Sequence, residues 1–142
     1  MAGKYYLDTN VILDLADPGR TTGPATIATL ERLMEEGTTH FAVNSDTLST
    51  TYFILVSRQK ITREEALLAL DRLETMCEVV EIGQEEVREA IALCRDPETP
   101  YRDYEDTLQY LCARKAGAEG IVTSDRGFVG GEIPIIHPSI SE

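Results

Sequence analysis

Aspartates stand at the ends of the short apolar runs in this chain, and their placement is the strongest chemical signal in the sequence. Asp8 follows Tyr5, Tyr6 and Leu7, and Asp46 comes just after Asn44 and Ser45 at the end of a second run. Asp125 follows Ile121, Val122, Thr123 and Ser124, while Asp103 and Asp106 open a segment of helical periodicity. In an open α/β sheet, ligands bind beyond the carboxyl ends of the strands, where these acids fall. Carboxylates crowded on one partly dry rim repel one another, so they either take up protons or hold a cation. A ligand set made only of oxygen favours Mg²⁺ or Mn²⁺. Each acid alone has an ordinary structural explanation. Asp8, Asp103 and Asp106 suit helix caps or first turns, and Asp125 with Gly127 suits a turn. The functional reading rests on their arriving at one place.

The elements that would bring them there alternate. Lys4 to Leu7 reads as a strand that turns into a helix near Asp8, with Val11, Ile12 and Leu15 at helical spacing. Ala25 to Glu36 repeats Ile27, Leu30, Leu33 and Met34 and stops at Gly37; Thr39 to Val43 is a second strand. Asn44 or Ser45 can cap a helix carrying Leu48, Tyr52, Leu55 and Val56, and Thr62 with Glu65 forms a capping box for another, ending near Met76. Glu78 to Ile82 reads as a valine-rich strand, and Gln84 to Cys94 as a helix with Val87, Ile91 and Cys94 inward. Asp103 to Lys115 is helical, Gly117 ends it, Gly120 to Thr123 is a strand, and Ile133 to Ile136 is an edge strand flanked by Pro134 and Pro138. This order implies an α/β fold with a parallel sheet covered on both faces.

At 142 residues with no repeat or linker composition, the chain is expected to fold as one domain over 1–142. Its 13 basic and 25 acidic residues give a net charge of −12, which opposes general attraction to polyanions or anionic membrane. A carboxylate cluster that binds cations would account for part of that imbalance, so a metal-dependent phosphodiester enzyme stays open. No apolar run of membrane-spanning length and no secretory leader pattern is present. The odd cysteine count, Cys77, Cys94 and Cys112 without a CxxC pair, fits a reduced, cytoplasmic setting with the thiols as small core residues.

Three segments carry a family resemblance. YLDTNVILDL at 6–15, DYEDTLQYLCARKAG at 103–117 and IVTSDRGF at 121–128 resemble, in that order, the PIN domain family and particularly its VapC-like members. There, a strand ends in an Asp followed by a hydroxyl residue and Asn. A later helix begins with an Asp, and another strand ends in Thr followed by Asp and Phe. Asp8, Asp106 and Asp125 occupy those positions. The resemblance implies a three-layer α/β/α sandwich with a mostly parallel twisted sheet, a Mg²⁺ or Mn²⁺ site, and hydrolysis of RNA, often by the toxin of a toxin–antitoxin pair. Asp8 and Asp106 would ligate the metal directly and Asp125 directly or through water. Thr9, Asn10, Thr123 and Ser124 would orient the acids or bound water, and Asp103 would support them. Such an ion activates water and stabilises charge on the phosphate, so no nucleophilic side chain is needed. Implied partners are RNA, an antitoxin protein and a second copy of the chain.

Two departures from the family pattern stand out. Within TLSTTYFIL at 47–55, Thr50 occupies the place of a usual Glu, and Gly127 stands where an acid is frequent. Asp46, one helical turn before Thr50, is the candidate substitute for the lost charge. Thr50 also motivates an alternative, a catalytically weakened PIN domain that binds RNA or protein. A third reading, a phosphatase of the haloacid dehalogenase type, draws on LDTNVI at 7–12, but that family requires a second Asp where Asn10 stands. Candidate phosphate contacts are Arg20, Lys60, Arg63, Arg102, Arg114, Lys115 and Arg126, with Arg126 foremost because it follows Asp125. Tyr52, Tyr101 and Tyr104 are candidates to stack a base or to cover the core edge, and His40 and His137 are expected to be structural.

Overall fold

The computed structural model describes residues 3–17, 19–59 and 61–140. Five strands form one sheet in the order β3-β2-β1-β4-β5, every neighbouring pair parallel. They are β1 (Gly3–Leu7), β2 (Thr39–Asn44), β3 (Cys77–Val80), β4 (Gly120–Val122) and β5 (Ile135–Ile136). Six helices connect and cover them among the described residues: α1 (Thr9–Ala16), α2 (Gly23–Glu35), α3 (Ser45–Ser57), α4 (Arg63–Met76), α5 (Gln84–Arg95) and α6 (Tyr104–Ala116). The expected α/β architecture is therefore present.

Alternation along the strands divides the core into two. Leu7, Phe41, Val43, Cys77 and Val122 face one side and pack with Val11 and Ile12 of α1, Leu30 and Leu33 of α2 and Leu73 of α4. Tyr6, Ala42, Val80 and Ile121 face the other and pack with Cys112 and Ala113 of α6. A parallel strand buried on both faces must be apolar at consecutive positions, which explains why these runs show no polar alternation. Helix α3 sits on α1 and α4 through Leu55, Ala66 and Ala69, and α5 covers α6 through Ala90, Leu108 and Leu111.

Several boundaries and faces differ from the sequence expectation, for physical reasons. β3 runs Cys77–Val80, not Glu78 to Ile82, because β2 supplies no pairing partner beyond Asn44, which stands opposite Val80. Ile91 is exposed because α5 packs mainly on α6, along a stripe centred on Ala90. Ile27 and Met34 are likewise exposed, and α2 buries Thr26, Thr29, Leu30 and Leu33. The β4 and β5 ladders are short; Thr123 leaves its strand and Ile133 precedes its own. The capping box of Thr62 and Glu65 forms as expected, and Gly117 ends α6 in the left-handed region at φ 72. No helix is long and apolar enough to cross a membrane among the described residues.

Asp14, at 2% exposure, is a buried acid that periodicity did not single out. It accepts from Arg20 Nε at 2.8 Å, Thr22 Oγ1 at 2.5 Å and Thr26 Oγ1 at 2.6 Å, tying the end of α1 to α2. Asp14→Ala would leave three donors without their acceptor, and Arg20 is itself only part-exposed. We expect it to lower the urea midpoint at unchanged slope, by about 3 kcal/mol of stability.

Candidate active site

Parallel strands place the N-termini of α1, α3 and α6 at one edge of the sheet, and each has a side-chain cap. Asp8 caps α1, Asn44 caps α3 by accepting from Thr47 N at 2.7 Å, and Asp103 caps α6 by accepting from Asp106 N at 2.9 Å. Asp8 is 3% exposed, yet its carboxylate accepts four hydrogen bonds. Oδ1 receives Thr9 N and Gln109 Nε2, both at 2.6 Å; Oδ2 receives Asn10 Nδ2 at 2.8 Å and Thr123 Oγ1 at 2.6 Å. A carboxylate has about four acceptor sites, so this one is fully used by the protein. A buried charge without such partners would be costly.

Gln109 and Tyr6 were not among the candidates from sequence, although a glutamine inside the apolar run TLQYL was a visible signal. Gln109 Oε1 accepts from the Tyr6 hydroxyl at 3.2 Å, which accepts from Asn44 Nδ2 at 2.8 Å. The direction of this chain is set from both ends. The Asp8 carboxylate demands a donor at one end, and the Thr47 amide demands an acceptor at the other. Asn10 Oδ1 accepts from Ser124 N at 3.1 Å, and Thr123 Oγ1 accepts from Asp125 N at 3.0 Å, so the donors to Asp8 also place the β4 loop.

Asp106 lies in the first turn of α6, half-buried, and its carboxyl is pushed up to about 7. Burial is the largest cause, followed by the charges of Asp103, Asp8 and Asp125 and a side-chain contact with Asp125. The acids at 8, 103 and 125 therefore all act on Asp106 across a common rim. Their ordinary structural roles are also realised: Asp8 and Asp103 are caps, and Asp125 Oδ1 accepts from Gly127 N at 2.8 Å. No three acid, histidine or cysteine side chains among the described residues are drawn together tightly enough to hold an ion as they stand.

Two cavities flank this rim. One, of about 230 Å³, lies on the Asp103 and Asp106 side, with Tyr101 and Gly127 in its wall. The other, of about 150 Å³, opens between α3 and α6 and contains both Asp46 and Thr50, facing Tyr104 and Glu105. Asp46 thus shares a cavity with Thr50 and not with Asp106. Most of the candidate cations are already engaged. Arg20 pairs with Asp14, Arg114 with Glu89 and Lys115 with Glu86, while Arg102 donates to the carbonyls of Cys94, Asp96 and Thr99. Arg63 and Arg126 are exposed and make no internal ion pair among the described residues; Lys60 lies outside them. Tyr101 stacks on Tyr110 with centroids 5.2 Å apart, Tyr52 is half-buried beside Leu55, and Tyr104 is exposed. His137 Nδ1 lies 2.7 Å from Thr123 O, a structural contact, and Cys77 and Cys112 are buried.

The raised Asp106 has a consequence for the ion-free protein. Protonation favours the fold wherever the folded pKa exceeds the unfolded one, so this contribution is complete below about pH 4 and is lost as pH rises through about 7. Thermal melts of ion-free protein should fall from pH 5 to pH 8, and Asp106→Asn should flatten that slope; an unchanged slope would contradict the assignment.

Comparison with known proteins agrees with this geometry. The profile of the PIN domain matches residues 5–130. Ribonuclease VapC1 of Aquifex aeolicus (strain VF5) is 29% identical over 133 residues, covering 94% of this chain and 89% of that protein. The fold is similar to that of Mycobacterium tuberculosis VapC20, a Sarcin-Ricin loop cleaving toxin, with TM-score 0.66 and 21% identity over 89% of this chain and 98% of the other. It is also similar to Rickettsia felis VapBC2, solved bound to a DNA fragment from their promoter, with TM-score 0.67 and 16% identity over 94% and 98%. A match that spans both β1 with Asp8 and the β4 loop with Asp125 covers every element of the acidic rim, and the chain belongs to the PIN domain family.

Proposed function

We propose that this protein is a divalent-metal-dependent ribonuclease that hydrolyses RNA phosphodiester bonds, and that it is the toxin of a toxin–antitoxin pair. The observation that carries the reading is Asp106, a carboxyl raised to about 7 by burial and by three neighbouring acids at the carboxyl edge of a parallel sheet. Such a rim is short of positive charge, and its donors are oxygens, which suits Mg²⁺ or Mn²⁺. Asp8 and Asp106 would hold the ion and Asp125 would complete the site directly or through water, Asp8 exchanging one of its four protein donors for the ion. Asp103 supports Asp106 by capping its helix, and Asn10, Thr123 and Ser124 hold the segments of Asp8 and Asp125 in register. The ion, when bound, would supply an activated water and neutralise charge on the phosphate. Arg126, beside Asp125 and without an ion pair among the described residues, is the residue best placed to meet an RNA phosphate.

The name of the Aquifex relative supports the ribonuclease reading, and the Rickettsia complex supports an antitoxin partner. An antitoxin that presents a lysine or arginine to Asp106 would neutralise the same charges as the ion. A homodimer and a cytoplasmic location accompany this reading. The alternative, a weakened domain that binds RNA without cleaving it, is motivated by Thr50, whose hydroxyl brings no charge to the position where the family usually has Glu. The phosphatase reading has less support, because Asn10 is tied to Asp8 and Ser124 and is not an acid.

Incubation of single-stranded RNA with the pure protein and Mn²⁺ or Mg²⁺ should give cleavage that chelation abolishes. Asp106→Asn, at a half-buried site with no ion pair among the described residues, should fold and lose at least about 100-fold in rate. RNA binding without cleavage by the wild type under both ions would favour the alternative. Ion binding has a separate readout, because a ligand at free concentration L that binds only the folded state stabilises it by RT ln(1 + L/Kd) and so raises the melting temperature. Mn²⁺ should raise the melting temperature of the wild type at pH 8, and the rise should be much smaller in Asp106→Asn.

A further inference from the structure

The cavity between α3 and α6 adjoins the acids without containing Asp8, Asp106 or Asp125. Its lining includes Asn44 and Gln109, each 2% exposed. Each amide nitrogen carries two N–H groups. One from Asn44 goes to the Tyr6 hydroxyl and one from Gln109 to Asp8; the second N–H of each has no acceptor among the described residues. Both nitrogens already donate one hydrogen bond; a further N–H buried without an acceptor costs about 1–3 kcal/mol, a cost that a ligand bringing an acceptor into the cavity would remove. Asp46 and Glu105 add the opposite chemistry. Both are exposed carboxylates that accept no hydrogen bond and pair with no cation among the described residues. Ile82 and Leu108 supply apolar wall, and the Tyr104 ring is 42% exposed beside them.

We propose that this cavity reads an unpaired guanine of the RNA, a reading that rests on the ribonuclease assignment above. Among the four bases, the Watson–Crick edge of guanine alone places one acceptor, O6, beside two donors, N1–H and N2–H. The buried amide N–H groups suit O6, and the carboxylates of Asp46 and Glu105 suit the two donors, with the ring packed against Tyr104. Adenine offers one amino group beside the acceptor N1, cytosine one amino group beside two acceptors, and uracil one donor between two acceptors, so none of them sets two separate donor nitrogens beside one acceptor. A phosphate would meet two carboxylates and be repelled, so the backbone stays over the acid rim while a base enters the cavity. Thr50 acquires a reason in this arrangement. A glutamate there would bring both bulk and charge into a cavity of about 150 Å³, and the threonine leaves it open.

The test uses short single-stranded RNAs of one sequence whose single guanosine is kept, replaced by inosine, which lacks the N2 amino group, or replaced by adenosine. With Mn²⁺, the wild type should cleave the guanosine RNA about ten-fold or more faster than the inosine RNA, in kcat/KM. Asp46→Asn and Glu105→Gln, both at exposed positions, should bring that ratio toward one. Cleavage with equal rates on guanosine and inosine RNAs, or a ratio unmoved by both substitutions, would overturn the guanine site and leave the ribonuclease assignment standing. Absence of cleavage on every RNA would overturn that assignment instead, and the site is then decided by NMR titration with guanosine. Saturable shifts at Tyr104, Ile82 and Leu108 that inosine and adenosine produce more weakly would support it; no shift would overturn it.

Discussion

One buried carboxylate organises this protein's working edge. Asp8 takes its four hydrogen bonds from α1, from the middle of α6 and from the residue that follows β4, so no donor can be moved without moving another element. The same side chain caps α1, where the aligned backbone N–H groups favour negative charge. A charge in so dry a place is tolerable because every acceptor site is filled. Its cost is repaid by specificity of arrangement, since Thr123 and Asn10, which donate to Asp8, also hold Asp125 and Ser124.

Around that fixed acid the remaining carboxylates are treated differently. Asp103 and Asp125 spend oxygens on local backbone amides, whereas Asp106 meets mainly other acids, and its raised carboxyl records the imbalance. The protein thus contains one saturated acid and one unsatisfied acid side by side. The first confers rigidity, and the second confers affinity for a proton or a cation. A net charge of −12, with Arg20, Arg102, Arg114 and Lys115 engaged internally, gives the whole molecule a field that repels polyanions, and it leaves Arg126 as an exposed cation beside the rim.

The division between readable and unreadable features follows from their range. Asp8, Asp106 and Asp125 were identifiable because each sits at a chain signal that local physics writes into the sequence: a strand end, a helix first turn, an Asp-x-Gly turn. The caps of α3 and α4, and the glycine that ends α6, were legible for the same reason. The inward faces of α2 and α5 were not, because Ile27, Met34 and Ile91 are apolar wherever they point, and only the neighbouring layer decides which stripe is covered. The end of β3 depended on where its partner β2 stops.

The sequence by itself determined the alternation of strands and helices, and with it a parallel sheet whose carboxyl edge collects the acids, since helical and strand periods and capping residues act over a few positions. Tertiary structure alone decided the chain from Asn44 through Tyr6 and Gln109 to Asp8, and the placing of Asp46 with Thr50 in a cavity apart from Asp106. Hydrogen bonds between residues 38, 101, 103 and 115 positions apart have no local signature, because they exist only after the sheet has brought the helix termini together.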